Sequence, residues 1–151
     1  MEPIDLENMM ADVAPLVEAA EVRQYESNRW VFAFDEDFFV EIEHDVDLAK
    51  LVFTTEVGQP LPGAEAESYK LMLYLAFMWR ETGGLRMSLN PKDDMVFQVY
   101  DCPVADLKVE VLEINLKNFV NAARHAKTVL ASNVGEISEN IDDAHLHFMR
   151  V

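Results

Sequence analysis

The sequence predicts an α+β fold in which an antiparallel sheet packs against helices, in the order α-β-β-β-α-β-β-α. Three observations carry that prediction. Apolar residues recur at three- and four-residue steps near the start of the chain and again over a long stretch before Ser132. Between those stretches lie short runs with period two, each bounded by acidic or Gly/Pro/Asn-rich punctuation. Finally, the chain is 50% hydrophobic despite a formal net charge of −16, so it has the apolar side chains to offset chain entropy and fold.

The first helix is expected from about Leu6 to Ala20, with Leu6, Met9, Met10, Val13, Leu16 and Val17 on its apolar side. Pro15 lies within it. Proline cannot donate a backbone hydrogen bond and disfavours a helical residue before it, so a kink or a break is expected there.

Three strands follow. Arg29 to Phe34 places Trp30, Phe32 and Phe34 on one face and Val31 and Ala33 on the other. Both faces are apolar, so this strand reads either as one covered on both sides or as the floor of an exposed ligand groove. After the acidic turn Asp35-Glu36-Asp37, the next strand alternates Phe38, Val40 and Ile42 with Phe39, Glu41 and Glu43. Phe39 thus falls on a solvent-facing side and is a candidate contact for an apolar ligand residue. Lys50 to Val57 is the third strand, with Leu51, Phe53 and Val57 opposite Val52, Thr54 and Glu56.

The punctuation Gly58-Gln59-Pro60-Leu61-Pro62-Gly63 opens a second helix, expected from about Ala64 to Glu81. Its run Leu71 to Trp79 is apolar around most of the circumference, which requires burial on two sides. One side can pack on the sheet; the other needs a partner. Gly83-Gly84 stops it. Strands from Leu85 to Leu89 and from Met95 to Asp101 are joined by Asn90-Pro91-Lys92-Asp93-Asp94, a hairpin turn by composition. The last helix is expected from about Ala105 to Ala131, with Val109, Leu112, Leu116, Phe119, Ala123, Ala126 and Leu130 forming one seam. No linker or repeat divides this span, so residues 1–132 read as a single domain and 133–151 as a C-terminal tail or short helix.

Charge and composition narrow the function. A net charge of −16 repels nucleic acid and anionic membrane and favours basic or apolar polypeptide partners. The acidic start Met1-Glu2-Pro3-Ile4-Asp5 is unlike a secretory signal, and no apolar run approaches the roughly 18 residues of a membrane span, so a cytoplasmic protein is expected. The single cysteine, Cys102, reads as a semi-buried apolar residue. Glu41, Glu43, Asp45 and Asp47 flank His44, but their strand and turn positions read as a solvated acidic face. His145 and His147 are a pair without the further ligands a metal needs, and His125 belongs to a local basic patch with Arg124 and Lys127. No catalytic constellation, metal site or cofactor motif is found, and an enzyme is not expected.

The stretch Phe32 to Ser132 resembles the type III secretion chaperones of the Tir-chaperone (CesT-like) kind. Phe32-Ala-Phe-Asp-Glu-Asp-Phe-Phe-Val-Glu-Ile-Glu resembles that family's first hairpin, and Leu51-Val-Phe-Thr-Thr-Glu-Val-Gly-Gln-Pro-Leu-Pro its third strand leading into the second helix. Leu85-Arg-Met-Ser-Leu-Asn-Pro with Met95-Val-Phe-Gln-Val-Tyr resembles its second hairpin.

The resemblance implies a homodimer that binds the N-terminal region of a secreted effector, keeps it soluble and delivers it to the export apparatus, where the export ATPase is a further partner. It implies a dimer contact at Met72, Leu75, Met78, Trp79, Arg86 and Met87, and effector contacts at Val31, Phe32, Phe34, Phe39 and Val52. Pro15 and the 133–151 tail depart from the family pattern. Two other classes fit the same order of elements: a YbjN-like bacterial regulatory or stress domain, and a small-molecule-binding domain.

Overall fold

The computed structural model describes residues 5–132, and the tail assigned to 133–151 lies outside the described residues. The chain begins with α1 (Leu6–Leu16), followed by β1 (Glu21–Glu26), β2 (Arg29–Asp35), β3 (Phe38–Asp45) and β4 (Lys50–Gly58). Then come α2 (Glu65–Phe77), the single-turn α3 (Trp79–Thr82), β5 (Arg86–Leu89), β6 (Val96–Pro103) and α4 (Val109–Ala131). All strand pairs are antiparallel, in one six-stranded sheet of order β1-β2-β3-β4-β6-β5. The α+β architecture is the one the sequence predicts, with one strand more.

That additional strand is β1. Its residues Glu-Val-Arg-Gln-Tyr-Glu are exposed except for half-buried Val22, so it carries almost none of the alternation that marks a one-face-buried strand. Its formation follows from pairing with β2, in register from Glu21 opposite Ala33 to Gln24 opposite Trp30. Room for it arises because α1 is shorter than its periodicity suggests. Asp5 caps the helix by accepting from the Asn8 amide at 3.1 Å. Pro15 is accommodated in the last turn, the helix ends at Leu16, and Glu18 turns the chain with φ of 60°. The proline therefore neither kinks nor splits a longer helix, because the chain leaves the helix one residue after it.

The second helix also ends early, at Phe77. The chain breaks at Met78 and resumes for the one turn of α3, which stops at Gly83 and Gly84, with φ of 82° and 96°. Those values are open to glycine and strained for other residues, so both glycines are required by the backbone.

The helices cover one face of the sheet. Trp30, Phe32, Val40, Ile42, Leu51, Phe53 and Cys102 point from it into a core shared with Met10 and Val13 of α1 and Leu112, Leu116 and Phe119 of α4. A second cluster joins Val57 and Val96 to Leu71, Met72 and Leu75 of α2 and to Ala126, Val129 and Leu130 of α4. The long helix is thus the common wall of both clusters. Gln98, fully buried on β6, donates to the Phe119 carbonyl at 2.9 Å and ties α4 to the sheet.

On the uncovered face, Asp101 of β6 accepts from Lys50 of β4 at 2.7 Å and from Arg86 of β5 at 2.9 Å. The hydrogen bond from Arg86 is the largest influence holding its carboxyl below the ordinary value of 3.8, and that from Lys50 adds to it. A carboxyl depressed in the folded state stabilises the fold above its unfolded pKa and loses that contribution as pH falls through the folded value. Asp101→Asn is accordingly expected to cost about 1 kcal/mol at neutral pH, kept small by solvent screening. The deficit should shrink as pH drops below about 4. Urea unfolding of both proteins at pH 7 and in steps below pH 4 measures it; a deficit that does not change with pH would exclude the ion-pair origin.

Candidate functional site: an open sheet face and an apolar groove

The alternation within each strand decides which side chains reach the uncovered face. Cross-strand register places Val31 opposite Glu41 and Ala33 opposite Phe39, then Glu41 opposite Thr54 and Glu43 opposite Val52. It continues with Thr54 opposite Val99 and Glu56 opposite Phe97. Directly paired residues share a face, so these side chains form one surface on which no described helix packs.

Of the five residues the resemblance assigns to effector contact, Val31, Phe39 and Val52 come together on this surface. Phe39 is 50% exposed, while Val31 and Val52 are half-buried among their neighbours. Phe32 and Phe34 lie on the opposite side of β2. Phe32 is wholly buried in the core, and Phe34 is half-buried against it, with its ring 5.7 Å from that of Phe38. β2 is therefore covered on the face of Trp30 and open on the face of Val31.

The face is strongly polarised. Arg29 lies near both Glu41, at 3.6 Å, and Glu43, at 3.2 Å, and the charge of Glu41, then the charge and hydrogen bond of Glu43, push its guanidinium pKa above the ordinary value. Between β3 and β4 the ladder stops at Glu41–Thr54, although both strands run on. Thr55 Oγ1 donates instead to the Phe39 carbonyl at 2.5 Å. Where the strands part, a cleft of about 320 Å³ opens, with Val31, Phe39 and Phe97 on its walls and Asp37 and Glu56 among its charged residues.

The second surface lies between α2 and the edge strand β5. There an apolar groove of about 300 Å³ is lined by Tyr69, Met72, Leu73, Met87, Leu89 and Val96. Of the residues assigned to a dimer contact, Met72 and Leu75 are buried in the second core cluster, and Met87 is half-buried against it. Met78 is half-buried at the helix break, and the Trp79 side chain lies outside the described ones. Arg86 is on the other side of β5, held by Asp101. The exposed apolar side chains here are Leu73 at 67% and Phe77 at 49% on α2, and Leu89 at 44% on β5. The sequence contained a signal for them: a helix apolar all round, once its core side is known, assigns the surplus to its other side.

Among the described residues, no grouping of three His, Cys, Asp or Glu side chains is arranged to hold a metal, and no helix is long and apolar enough to cross a membrane. Cys102 is buried and accepts from Asn115 Nδ2 at 3.4 Å; burial pushes its thiol pKa up, away from nucleophilic use.

An α+β scaffold with one sheet face left open and an apolar groove at its edge offers two surfaces of the kind that polypeptide-binding modules use. The chain belongs to the Tir chaperone protein (CesT) family, whose family model matches residues 17–127, and so to the type III secretion chaperones, which are binding proteins rather than enzymes. Solved structures share the fold. A chain of the HopA1–SchA chaperone–effector complex matches with TM-score 0.61 and 15% identity, over 83% of this chain and 98% of that one. A chain of the ExsC–ExsE complex gives TM-score 0.66 and 16% identity over 83% and 92%. A chain from the complex of the Yersinia pestis type III secretion chaperone SycH with a stable fragment of YscM2 gives 0.59 and 18% over 79% and 97%. No curated protein sequence matches the chain.

Proposed function

We propose that the protein is an acidic, cytoplasmic, homodimeric chaperone that binds the N-terminal chaperone-binding region of a type III effector and keeps it soluble and competent for export. Residues 1–132 form the chaperone domain in this reading, with 133–151 as an appended tail. The observation that carries it is the open sheet face, where Val31, Phe39 and Val52 lie among carboxylates. A sheet with one uncovered, partly apolar face can take an unfolded segment whose apolar residues fill the hollows. Ordering that segment costs several kcal/mol, so the contact must be extensive, and pairing two protomers through the α2–β5 groove doubles the surface on offer. The negative field speeds encounter with a basic client and keeps copies of the chaperone apart.

Purification of the native protein from cells under secretion-inducing conditions, followed by mass spectrometry, is expected to recover a stoichiometric secreted effector. Recovery of none would overturn the reading. Phe39→Asp combined with Val31→Asp is expected to reduce the recovered client at least about tenfold, since each adds a desolvated charge to the contact. Circular dichroism of the double variant should stay native, because neither side chain belongs to the buried core. Undiminished client would remove this face from the binding site.

A further inference from the structure

The cleft between β3 and β4 mixes two chemistries that one kind of side chain satisfies. Its apolar lining comes from Val31, Phe39 and Phe97, beside Glu41, Thr54 and Thr55, whereas Asp37 and Glu56 are acidic and exposed. Of the other carboxylates nearby, Glu41 and Glu43 are partnered by Arg29, Asp35 by Arg124, and Asp101 by Lys50 and Arg86, while Glu36 is exposed in the turn beside Asp37 and does not line the cleft. Asp37 and Glu56 have no ion pair among the described residues. An apolar occupant alone would strip water from these two carboxylates without replacing it, and an anionic one would meet a chain of net charge −16. A long side chain with an apolar stem and a cationic end suits both parts.

We infer that this cleft anchors an arginine side chain of the bound polypeptide, its stem against Phe39 and Phe97 and its guanidinium meeting Asp37 and Glu56. Arginine fits better than lysine because its planar, weakly hydrated group stacks on aromatic rings and bonds to more than one carboxylate at once. The inference rests on the chaperone reading of the open face and adds to it a selection rule for clients: a basic residue among the apolar anchors.

The test uses the full-length, isotopically labelled protein and three probe peptides, acetyl-Leu-Arg-Leu-amide and its lysine and citrulline counterparts, followed by amide chemical shifts at low salt. The arginine peptide is expected to shift Phe39, Thr54, Glu56 and Phe97 and to bind about tenfold more tightly than the citrulline peptide, which has the shape without the charge. Asp37→Asn with Glu56→Gln, both at exposed positions, should abolish that difference and preserve the spectrum elsewhere. Equal binding of arginine and citrulline, shifts confined to the α2–β5 groove, or no shifts with any peptide would overturn the anchor. Equal binding of the lysine peptide would overturn the choice of arginine. If the double variant captures a cellular client as well as the native protein does, the anchor fails and the chaperone stands. If the native protein captures no client yet discriminates among the peptides, the chaperone reading fails and the cleft stands.

Discussion

Leu73→Glu is expected to leave the fold intact and split the proposed homodimer. Leu73 is 67% exposed in the single chain, so a carboxylate there remains in water while the protomer is alone. In a dimer joined through the α2–β5 groove the same carboxylate would be buried against apolar Met87 and Leu89, at a cost of about 3 kcal/mol or more. The dissociation constant should rise at least ~100-fold. Sedimentation equilibrium is then expected to read the 17.2 kDa monomer, and twice that mass for the native chain if the proposed dimer forms. Leu16→Glu, also exposed but on α1, serves as the control and should leave the dimer untouched. A Leu73→Glu protein that still sediments as a dimer would rule this groove out as the interface.

The largest loss of stability is expected from Phe53→Ala. Phe53 is wholly buried, with its ring 5.5 Å from those of Tyr100 and Phe119 and at 89° to the latter. It joins β4, β6 and α4 at one point, and a cavity there cannot be closed without moving a helix against the sheet. A loss of about 3–5 kcal/mol follows, a large part of the stability of an ordinary domain. Urea unfolding measures it; a loss below about 1 kcal/mol would mean that the ring cluster is not the centre of the core.

Legibility of this fold in the sequence tracked how one-sided each element is. The seam of α4 was readable because Leu112, Leu116, Phe119, Ala123, Ala126 and Leu130 recur at steps of three and four and are all buried, while Lys117, Asn118, Asn121, Arg124 and Thr128 mark the exposed side. In β3, Glu41 and Glu43 fixed the open side, and Phe39 with it. β2 offered no such contrast, with Trp30, Phe32 and Phe34 on one side and Val31 and Ala33 on the other, so the face covered by α1 and α4 could not be chosen until those helices were placed. This is why Phe32, drawn by the resemblance into the binding surface, belongs to the core.

Two other differences have local causes. The periodicity of the first helix ran past Pro15 because Val17 and the alanines after it are compatible with a helix, yet the turn at Glu18 intervenes. The exposed apolar residues Leu73 and Phe77 could not be told from the buried Leu71, Met72 and Leu75 within a helix apolar on every side.

The unassuming first strand has a role that follows from its position. A protein that leaves a sheet face open also has two sheet margins, and an unguarded margin invites other chains to extend the sheet without limit. β5 closes one side by being only four residues long. β1 closes the other by composition, with Glu21, Arg23, Gln24 and Glu26 all exposed and a bulge between Gln24 and Glu26 that breaks its regularity. Growth into fibrils is thereby discouraged at the margins, while the flat of the sheet and the groove beside β5 stay open.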